Sequence, residues 1–205
     1  SATEYPASAP LPLREDDLWK GALEADHAPY SFAKKMLLVQ GQAYRKQYDF
    51  NAIHLLLSNM YGPREPKRES PYVIPSLIQK ILEAKSKNLP EIEIWGRGGE
   101  KRDFIYIEDA ALGVLLAVLH YDKPEAVNIG SGEEISISDL VRLIAKLIGY
   151  EGGIKWNTSH SGGQLRWLLD TRRAEKEFGF KAKVSPEDGV RRTIEWYSQS
   201  SKIIS

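Results

Sequence analysis

Cysteine is missing from this sequence of 205 residues. Its absence excludes a disulfide scaffold, a zinc site built on thiolates and a cysteine nucleophile. It also fits a reducing cytoplasm, which is where we expect the protein. No apolar run reaches the roughly 18 residues that a membrane-spanning helix requires, and the N-terminus has no basic-then-apolar signal pattern.

An excess of charge of one sign is missing as well. The 28 lysine and arginine residues balance 28 aspartate and glutamate residues, which argues against nucleic acid or an anionic membrane as the main partner. Four histidines occur without the spacing of metal ligands: His27, His54, His120 and His160. We therefore predict that the protein has no metal site.

Helical and strand-like hydrophobic patterns alternate along the chain. Helices are predicted over 29–48, 73–87, 108–120, from Ser136 onwards, 170–178 and 185–199. Strands are predicted over 51–57, 91–95, 104–107, 126–129 and 154–156, and an irregular loop over 5–28. The apolar face of the first helix is predicted to consist of Ala33, Met36, Leu37 and Leu38. The alternation predicts an α/β fold with at least some parallel strand pairing.

No G-x-G-x-x-G sequence, which cradles the pyrophosphate of a dinucleotide, follows any predicted strand. Gly96, Gly98 and Gly99 do follow a strand, but a charged loop comes next instead of a helix. Gly130 and Gly132 also follow a strand, but the third glycine is missing. Both clusters are therefore predicted to be turns.

Tyr30 and Lys34 are four residues apart at the start of a predicted helix, which places them one turn apart on one face. An ammonium close to a phenol favours the phenolate. A tyrosine needs such help to act as an acid or base at neutral pH, because it ordinarily titrates near pH ~10. With 10 tyrosines in the chain, such a pair also arises by chance. The spacing alone therefore leaves a purely structural role open.

Four further segments follow the tyrosine–lysine pair in an order typical of one family. They are N-x-Y-G-P at 59–63, W-G followed by R-D-F-I-Y-I-E-D at 95–109, N-I-G-S-G followed by serine at 128–136, and Asp170 with Arg173 and Gly189. Over the whole chain this order resembles the extended short-chain dehydrogenase/reductases, the NAD-dependent epimerase/dehydratase family. Within that family the sequence is most similar to the GDP-L-fucose synthases.

The resemblance implies a partial Rossmann-like parallel sheet with a smaller C-terminal substrate-binding α/β lobe. Residues 1–62 would form the remainder of the dinucleotide-binding domain, with 100–130 contributing back to it. Residues 63–205 would mainly form the nucleotide-sugar-binding lobe. The implied function is that of an NADP- or NAD-dependent epimerase/reductase acting on a GDP-4-keto-6-deoxy-mannose type substrate, working as a homodimer.

Two alternatives to this function stay open. One is a 4-epimerase or 4,6-dehydratase acting on another nucleotide-sugar. The other belongs to a different class and is a truncated, non-catalytic module that binds a nucleotide-sugar or takes part in an assembly. NAD(P) binding separates the classes, because an enzyme of this family must bind the cofactor and a module need not.

The resemblance also implies roles for individual residues. Tyr30 would be the acid/base, Ser1 would polarise the sugar oxygen, and Lys34 would hold the cofactor ribose and favour the phenolate. The implied cofactor-binding residues are Tyr30, Lys34, Leu57, Ser58, Asn59 and Met60. The implied substrate-binding residues are Asn59, Lys80, Trp95 and Arg102. A cation suits a diphosphate and an indole offers a flat apolar face.

Structural readings of three of these residues remain open at this stage. Arg102 could form a surface ion pair, and Trp95 could belong to the core. Lys80 lies near the polar edge of its predicted helix, where a lysine is commonly solvated.

Three positions depart from the GDP-L-fucose synthase pattern. Thr3 stands where that group has a cysteine and Tyr72 where it has a histidine, the acid/base pair of its epimerisation. Gly162 stands where the group has a substrate-contacting aspartate. These departures put the epimerisation in doubt and leave the redox chemistry of Ser1, Tyr30 and Lys34 in place.

The resemblance further implies that the glycine-rich loop and the first strands precede the position of Ser1, on the order of 100 residues on the two-halves plan of this fold. A glycine turn and a helix N-terminus normally hold the pyrophosphate. We therefore expect the 205-residue chain alone to bind NAD(P) weakly and to show little or no dehydrogenase activity.

Overall fold

The structure is a computed structural model that describes residues 1–64, 72–159 and 165–201. The α-helices in these ranges are α1 (Ala28–Tyr48), α2 (Val73–Ser86), α3 (Ile107–His120), α4 (Ile137–Ile148), α5 (Arg172–Phe178) and α6 (Pro186–Ser201). The strands are β1 (Leu55–Leu57), β2 (Asn59–Tyr61), β3 (Glu91–Trp95), β4 (Lys101–Arg102), β5 (Phe104–Tyr106), β6 (Val127–Ile129), β7 (Ile135–Ser136), β8 (Gly153–Asn157) and β9 (Arg166–Trp167). Single-turn 3-10 helices form at Ala2–Glu4, Glu15–Asp17 and Ala25–His27.

The strands form small sheets, two of which contain a parallel pair. β1 pairs in parallel with β6 so that Leu56 is opposite Asn128. β3 pairs in parallel with β8 so that Glu93 is opposite Lys155. β2 pairs with β5, and β4 lies between β7, to which it is antiparallel, and β9. The predicted α/β class with parallel pairing is confirmed.

Helix bounds follow local signals closely. α4 begins where the Ser136 hydroxyl accepts a hydrogen bond from the Asp139 N–H at 3.0 Å, the N-cap interaction that satisfies a free amide. It ends at Gly149, whose φ of 72° suits a residue without Cβ. The glycines of the two predicted turns include Gly98 and Gly132, with φ of 75° and 74°. In the part of the chain that the structure describes, no helix is long and apolar enough to span a membrane.

The predicted apolar face of α1 is buried at only one of its four positions, because Ala33, Met36 and Leu37 are exposed. Met36 and Leu37 are 61% and 53% exposed, and only Leu38 of the predicted apolar residues beside them is buried. The buried stripe consists of Ser31, Lys35 and Leu38, which share one face because each residue turns a helix by about 100°. Lys35 belongs to it because its ammonium donates a hydrogen bond to the Leu18 carbonyl oxygen.

The chain divides into two compact units that are interleaved along the sequence. The first unit comprises Ser1–Met60, Asp103–Glu134 and Trp167–Lys183, and the second comprises Tyr61–Arg102, Ile135–Arg166 and Val184–Ser205. The family resemblance implies that residues 100–130 contribute back to the dinucleotide-binding part, and that residues 167–183 belong to the C-terminal lobe.

Each unit has its own buried apolar residues. In the first unit, one cluster forms around α3, β6 and α5 and includes Ile105, Val127, Ile129, Ala174 and Phe180. A second cluster in the same unit joins the N-terminal loop to α1 and β1, with members Tyr5, Leu13, Leu18, Leu38 and Leu56. In the second unit, α2, α4 and α6 pack on one another and α2 also packs on β3. Burial of these side chains is the main driving force for each unit.

Candidate active site

Tyr30 and Lys34 lie together on the first turns of α1. The helix starts at Ala28 with Pro29 in its first turn, a position that proline suits because no amide donor is needed there. The Lys34 ammonium lies 5.5 Å from the centre of the Tyr30 ring, within the range of a cation–π contact. Tyr30 is 52% exposed. The phenol is therefore accessible to a ligand and has a cation beside it.

Ser1 is the N-cap residue of the 3-10 helix Ala2–Glu4, which contains Thr3; we call residues 1–4 the serine turn. Two main-chain hydrogen bonds close it, from Glu4 N–H to the Ser1 oxygen at 3.0 Å and from Tyr5 N–H to the Ala2 oxygen at 3.2 Å. The Ser1 and Thr3 hydroxyl oxygens are 3.2 Å apart. Among the residues that the structure describes, no direct hydrogen bond joins Ser1 to Tyr30. The structure therefore brings Ser1 together with Thr3.

The predicted cofactor strip Leu57, Ser58, Asn59 and Met60 lies at the carboxyl end of β1. The Ser58 N–H donates to the Ile129 oxygen at 2.9 Å and so extends the parallel pairing by one residue. Ser58 is buried, whereas Asn59 and Met60 are exposed. Ligands of α/β proteins bind outside the carboxyl ends of parallel strands. The strip is placed where a cofactor of such a fold binds.

Asp103 is a buried carboxylate that ties this strand end to the turn after β6. Its Oδ1 accepts hydrogen bonds from the Ser131 amide and hydroxyl at 2.9 and 2.7 Å, and its carbonyl oxygen accepts one from the Asn59 side chain at 3.0 Å. Burial raises the pKa of Asp103, although the hydrogen bonds from Ser131 oppose the rise. The sequence motif contained Asp103, but only its neighbour Arg102 was assigned a role.

A second buried network fastens the N-terminal loop to β6. The Tyr5 hydroxyl donates to Asn128 Oδ1 at 2.7 Å, and the Asn128 amide N–H donates to the Glu15 carboxylate at 2.9 Å. The Asn128 side chain donates to the carbonyl oxygens of Leu13 and Asp170 at 2.9 and 3.1 Å. Burial raises the pKa values of Tyr5 and Glu15. These bonds order the segment that leads from the serine turn to α1.

The three predicted nucleotide-sugar residues of the second unit lie on different elements. Lys80 is exposed on α2. Trp95 ends β3 and is 66% exposed, which excludes the alternative that it is a core residue. Arg102 is half-buried in β4, and its Nη1 donates to the Lys101 carbonyl oxygen at 2.9 Å. An exposed indole and an exposed ammonium are both available to a ligand.

Two of the three positions that depart from the GDP-L-fucose synthase pattern lie among the described residues. Thr3 is half-buried on the serine turn, and Tyr72 is exposed immediately before α2. The third position, Gly162, lies outside the described residues, as does His160. Within the described ranges, no group of three or more histidine, cysteine, aspartate or glutamate side chains could hold a metal ion.

Sequence reasoning missed Glu4, His54 and Asp103. Glu4 had a local signal, since Ser1-Ala2-Thr3-Glu4 has the pattern of a capping box. Asp103 lay within a recognised motif. His54 had no local signal, because its partner is 50 residues away in sequence.

A model of the NAD dependent epimerase/dehydratase family matches residues 1–130. Among curated proteins, the chain is 36% identical over 201 residues to "Probable GDP-L-fucose synthase 1" of Oryza sativa subsp. japonica, covering 98% of this chain and 61% of that protein. It is 40% identical over 196 residues to a GDP-L-fucose synthase of Sinorhizobium fredii, covering 95% of this chain and 62% of that protein. The chain thus spans about three fifths of the length of these relatives.

One similar solved structure is a GDP-mannoheptose C4 reductase from Campylobacter jejuni with NADP bound. It superposes with a TM-score of 0.85 at 29% identity, over 96% of this chain and 65% of that chain. The likeness includes both units, since the matched part covers nearly the whole chain.

Proposed function

We propose, since this chain belongs to the NAD dependent epimerase/dehydratase family, that it supplies the acid–base side chains of an NADP-dependent epimerase/reductase acting on GDP-linked sugars. The single observation that carries the proposal is the Lys34 ammonium 5.5 Å from the Tyr30 ring centre on an exposed helix face. The names of the similar proteins support a GDP-linked sugar as the substrate class and NADP as the cofactor. GDP-4-keto-6-deoxy-mannose, the substrate type that the sequence resemblance implies, is the first to test.

When bound, the cofactor exchanges a hydride with a carbon of the sugar. In the direction of reduction, the Tyr30 hydroxyl gives its proton to the sugar oxygen as the carbonyl becomes an alcohol. Lys34 stabilises the phenolate that remains. The Ser1 hydroxyl donates a hydrogen bond to the same oxygen and so stabilises the negative charge that develops there.

The side chains present fit the nicotinamide-ribose end of NADP. Lys34 offers an ammonium that can donate to ribose hydroxyls, and it is half-buried on α1. Asn59 and Met60 are exposed at the carboxyl end of β1, the edge at which such cofactors bind. Weak NAD(P) binding by the 205-residue chain alone stays a prediction, which calorimetry with NADPH measures.

A second candidate is reduction of a 4-keto sugar without epimerisation. Thr3 and Tyr72 favour it, because a threonine hydroxyl is a far poorer proton donor than a thiol and a tyrosine differs from histidine in reach and shape. The similarity to a C4 reductase supports it as well. A 4-epimerase, a 4,6-dehydratase and a non-catalytic nucleotide-sugar module remain as the other outcomes of the test.

Calorimetry with GDP and GDP-mannose on the purified chain tests substrate binding first. We expect Trp95→Ala and Lys80→Ala to weaken binding about tenfold or more, because they remove a stacking face and a cation for the diphosphate. Lys87→Ala, which removes a lysine that directly follows the same helix as its C-cap residue, is the matched control and should leave the affinity unchanged. Equal affinities in all variants would contradict the assigned site.

Turnover tests the function itself. GDP-4-keto-6-deoxy-mannose is incubated with NADPH and either the purified chain or the whole product of its gene, and NADPH consumption is followed. Oxidation of NADPH with formation of a 4-hydroxy sugar supports the proposal. GDP-sugar binding without NADPH binding or turnover by the whole gene product would support a non-catalytic module instead.

We also propose a homodimer in the cytoplasm. The outward face of α1 is apolar and includes Phe32, Met36, Leu37 and Tyr44, all exposed. An apolar patch of this kind on a helix typically marks a contact surface, and a second copy presents the same face. Analytical ultracentrifugation should show a dimer that Met36→Glu weakens, while Lys46→Glu at the end of the same helix leaves it intact.

A further inference from the structure

The Glu4 carboxylate is buried beneath the serine turn and has two partners. Glu4 is 1% exposed. Its Oε1 accepts a hydrogen bond from the N-terminal ammonium of Ser1 at 2.6 Å, and its Oε2 lies 3.0 Å from His54 Nε2. A carboxylate removed from water is destabilised unless donors replace its hydration, and here each oxygen has one.

The bond to the Ser1 nitrogen makes Glu4 part of the turn's own geometry. In a capping box the side chain at the third position accepts from the main chain of the capping residue, and Ser1-Ala2-Thr3-Glu4 is such a segment. The same turn carries the Ser1 hydroxyl, 3.2 Å from that of Thr3. Any shift of the Glu4 carboxylate therefore shifts the Ser1 main chain and its hydroxyl.

His54 anchors that carboxylate to the sheet. His54 directly precedes β1, and its carbonyl oxygen accepts from the Val127 N–H at 3.0 Å, at the start of the parallel β1–β6 pair. The imidazole is thus carried by a segment whose main chain is held by the pairing. Two hydrogen bonds of the Glu4 side chain, one with His54 and one with Ser1, therefore connect the sheet to Ser1.

Other charged groups near Glu4 leave this arrangement intact. Burial raises the pKa of Glu4, but the hydrogen bond from His54 and the positive charge and hydrogen bond of the Ser1 ammonium more than offset this rise, so the pKa lies below its ordinary value. Glu4 is therefore a carboxylate at neutral pH and can accept both bonds. Burial lowers the pKa of Lys35, and the negative charge of Glu4 opposes this change. The Lys35 ammonium donates its hydrogen bond to the Leu18 carbonyl oxygen and not to Glu4.

We infer that Glu4 and His54 are positioning residues that hold the Ser1 hydroxyl where it can donate to the sugar oxygen. The inference rests on the proposed role of Ser1 and adds a feature that the family motifs do not contain. It assigns a function to a histidine whose sequence context shows none. Neither side chain needs to touch the substrate.

Amide hydrogen exchange on the purified chain tests the structural part without any activity. His54→Gln keeps an N–H donor near the Nε2 position, whereas His54→Asn has the same polarity but is too short to reach Glu4. We expect His54→Asn to accelerate exchange at the Glu4 and Tyr5 amides about tenfold or more and His54→Gln to restore slow exchange. Tyr121→Phe, which removes a hydrogen bond elsewhere in the same unit, is the control.

Three outcomes overturn the inference at this stage. Unchanged exchange in His54→Asn would show that the histidine does not hold the turn. Equal acceleration in His54→Gln would show that only the shape of the ring matters. Acceleration at every amide in His54→Asn, including those of β1 and β6, would show general destabilisation, and it overturns the inference if Glu4→Gln, which keeps the volume and one acceptor, leaves exchange at the Tyr5 amide slow.

Kinetics tests the positioning itself in the active protein. We expect His54→Asn to lower kcat about tenfold, with KM for the GDP-sugar unchanged, and His54→Gln to recover most of the loss. Ser1→Ala serves as the reference and should lower kcat by at least as much. If Ser1→Ala lowers kcat and His54→Asn does not, the inference is overturned while the proposed function stands. Full activity in Ser1→Ala overturns the proposed role of Ser1 and the inference with it.

Discussion

A Cβ placed on Gly130 would lie 2.6 Å from Oδ2 of Asp103. Carbon and oxygen atoms that are not bonded do not approach so closely, so only glycine leaves room for this carboxylate. The Asp103 carboxylate in turn holds Ser131, and its carbonyl oxygen holds Asn59. A glycine that the sequence suggested to be a turn residue thus shapes the strand end at the candidate active site.

Gly130→Ala should therefore destabilise the protein. Overpacking a filled interior typically costs about 1–3 kcal/mol, and here the displaced group is a buried carboxylate with several hydrogen bonds. We expect the free energy of unfolding, measured with urea, to fall within or above that range. Gly99→Ala is the matched control, because a Cβ on Gly99 meets no atom within 4 Å. Equal stabilities of the two variants would contradict the close approach.

Tyr30→Phe should abolish most of the proposed reductase activity while leaving GDP-sugar affinity unchanged. The substitution keeps the ring and removes the proton, and general acid–base catalysis typically contributes ~10²–10⁴-fold. Tyr44→Phe removes a hydroxyl from another exposed tyrosine of α1 and should have no effect. Full turnover by Tyr30→Phe would overturn the role assigned to Tyr30.

Hydrogen exchange at C3 and C5 of the substrate should be slow. The family resemblance implies a thiol and an imidazole for this step at the positions of Thr3 and Tyr72, and a thiol ionises far more readily than an alcohol. GDP-4-keto-6-deoxy-mannose is incubated with the enzyme in deuterated water, and the two positions are followed by NMR. With NADPH, we expect a reduced sugar whose configuration at C3 and C5 is retained.

The double variant Thr3→Cys with Tyr72→His provides the gain-of-function test for the same step. It should introduce deuterium at C3, C5 or both, because it restores both side chains of the pair. Ser8→Cys with Tyr72→His places the thiol on an exposed residue and serves as the control. Rapid exchange in the unmodified enzyme would show that another residue has taken the acid/base role.

Protonation of Asp170 should account for part of the fall in the free energy of unfolding at acid pH. The hydrogen bond from the Arg172 side chain lowers the pKa of Asp170 below its ordinary value, against the effect of burial. A lowered carboxyl pKa contributes stability above the unfolded-state value of about 3.9, and this contribution is lost as pH falls through the folded-state pKa. Asp170→Asn should therefore reduce stability at pH 7 and flatten its decline at acid pH.

Urea unfolding at several pH values between about 7 and 3 measures this effect. The difference between wild type and Asp170→Asn should shrink as pH falls, and it should shrink with added salt because Arg172 is exposed and screened. The exposed Asp26→Asn is the control. A difference that stays constant over the whole pH range would contradict the assigned ion pair.

Features that depend on neighbours in sequence were predictable. The start of α4 after Ser136, whose hydroxyl accepts from the Asp139 N–H, follows from a hydrogen bond within one turn of helix. The meeting of Tyr30 and Lys34 follows from the four-residue spacing on a helix. The α/β class follows from the alternation of the two hydrophobic periods along the chain.

Which face of α1 is buried could not be predicted from neighbours in sequence. Apolar character predicted that Met36 and Leu37 face the core, yet both are exposed and Lys35 is buried. Which face of a helix is inward depends on what packs against it, and the loop before α1 offers the Leu18 carbonyl to a lysine. A long apolar stem with a polar head is compatible with such a position.

The sequence by itself determined the family motifs, the helix ends and the face shared by Tyr30 and Lys34, because each of these depends on residues a few positions apart. Only the tertiary structure decided that His54 meets Glu4 across 50 positions and that Gly130 makes room for Asp103. Contacts between distant segments depend on how the strands and helices pack, and the hydrophobic patterns that drive packing specify faces and not individual partners.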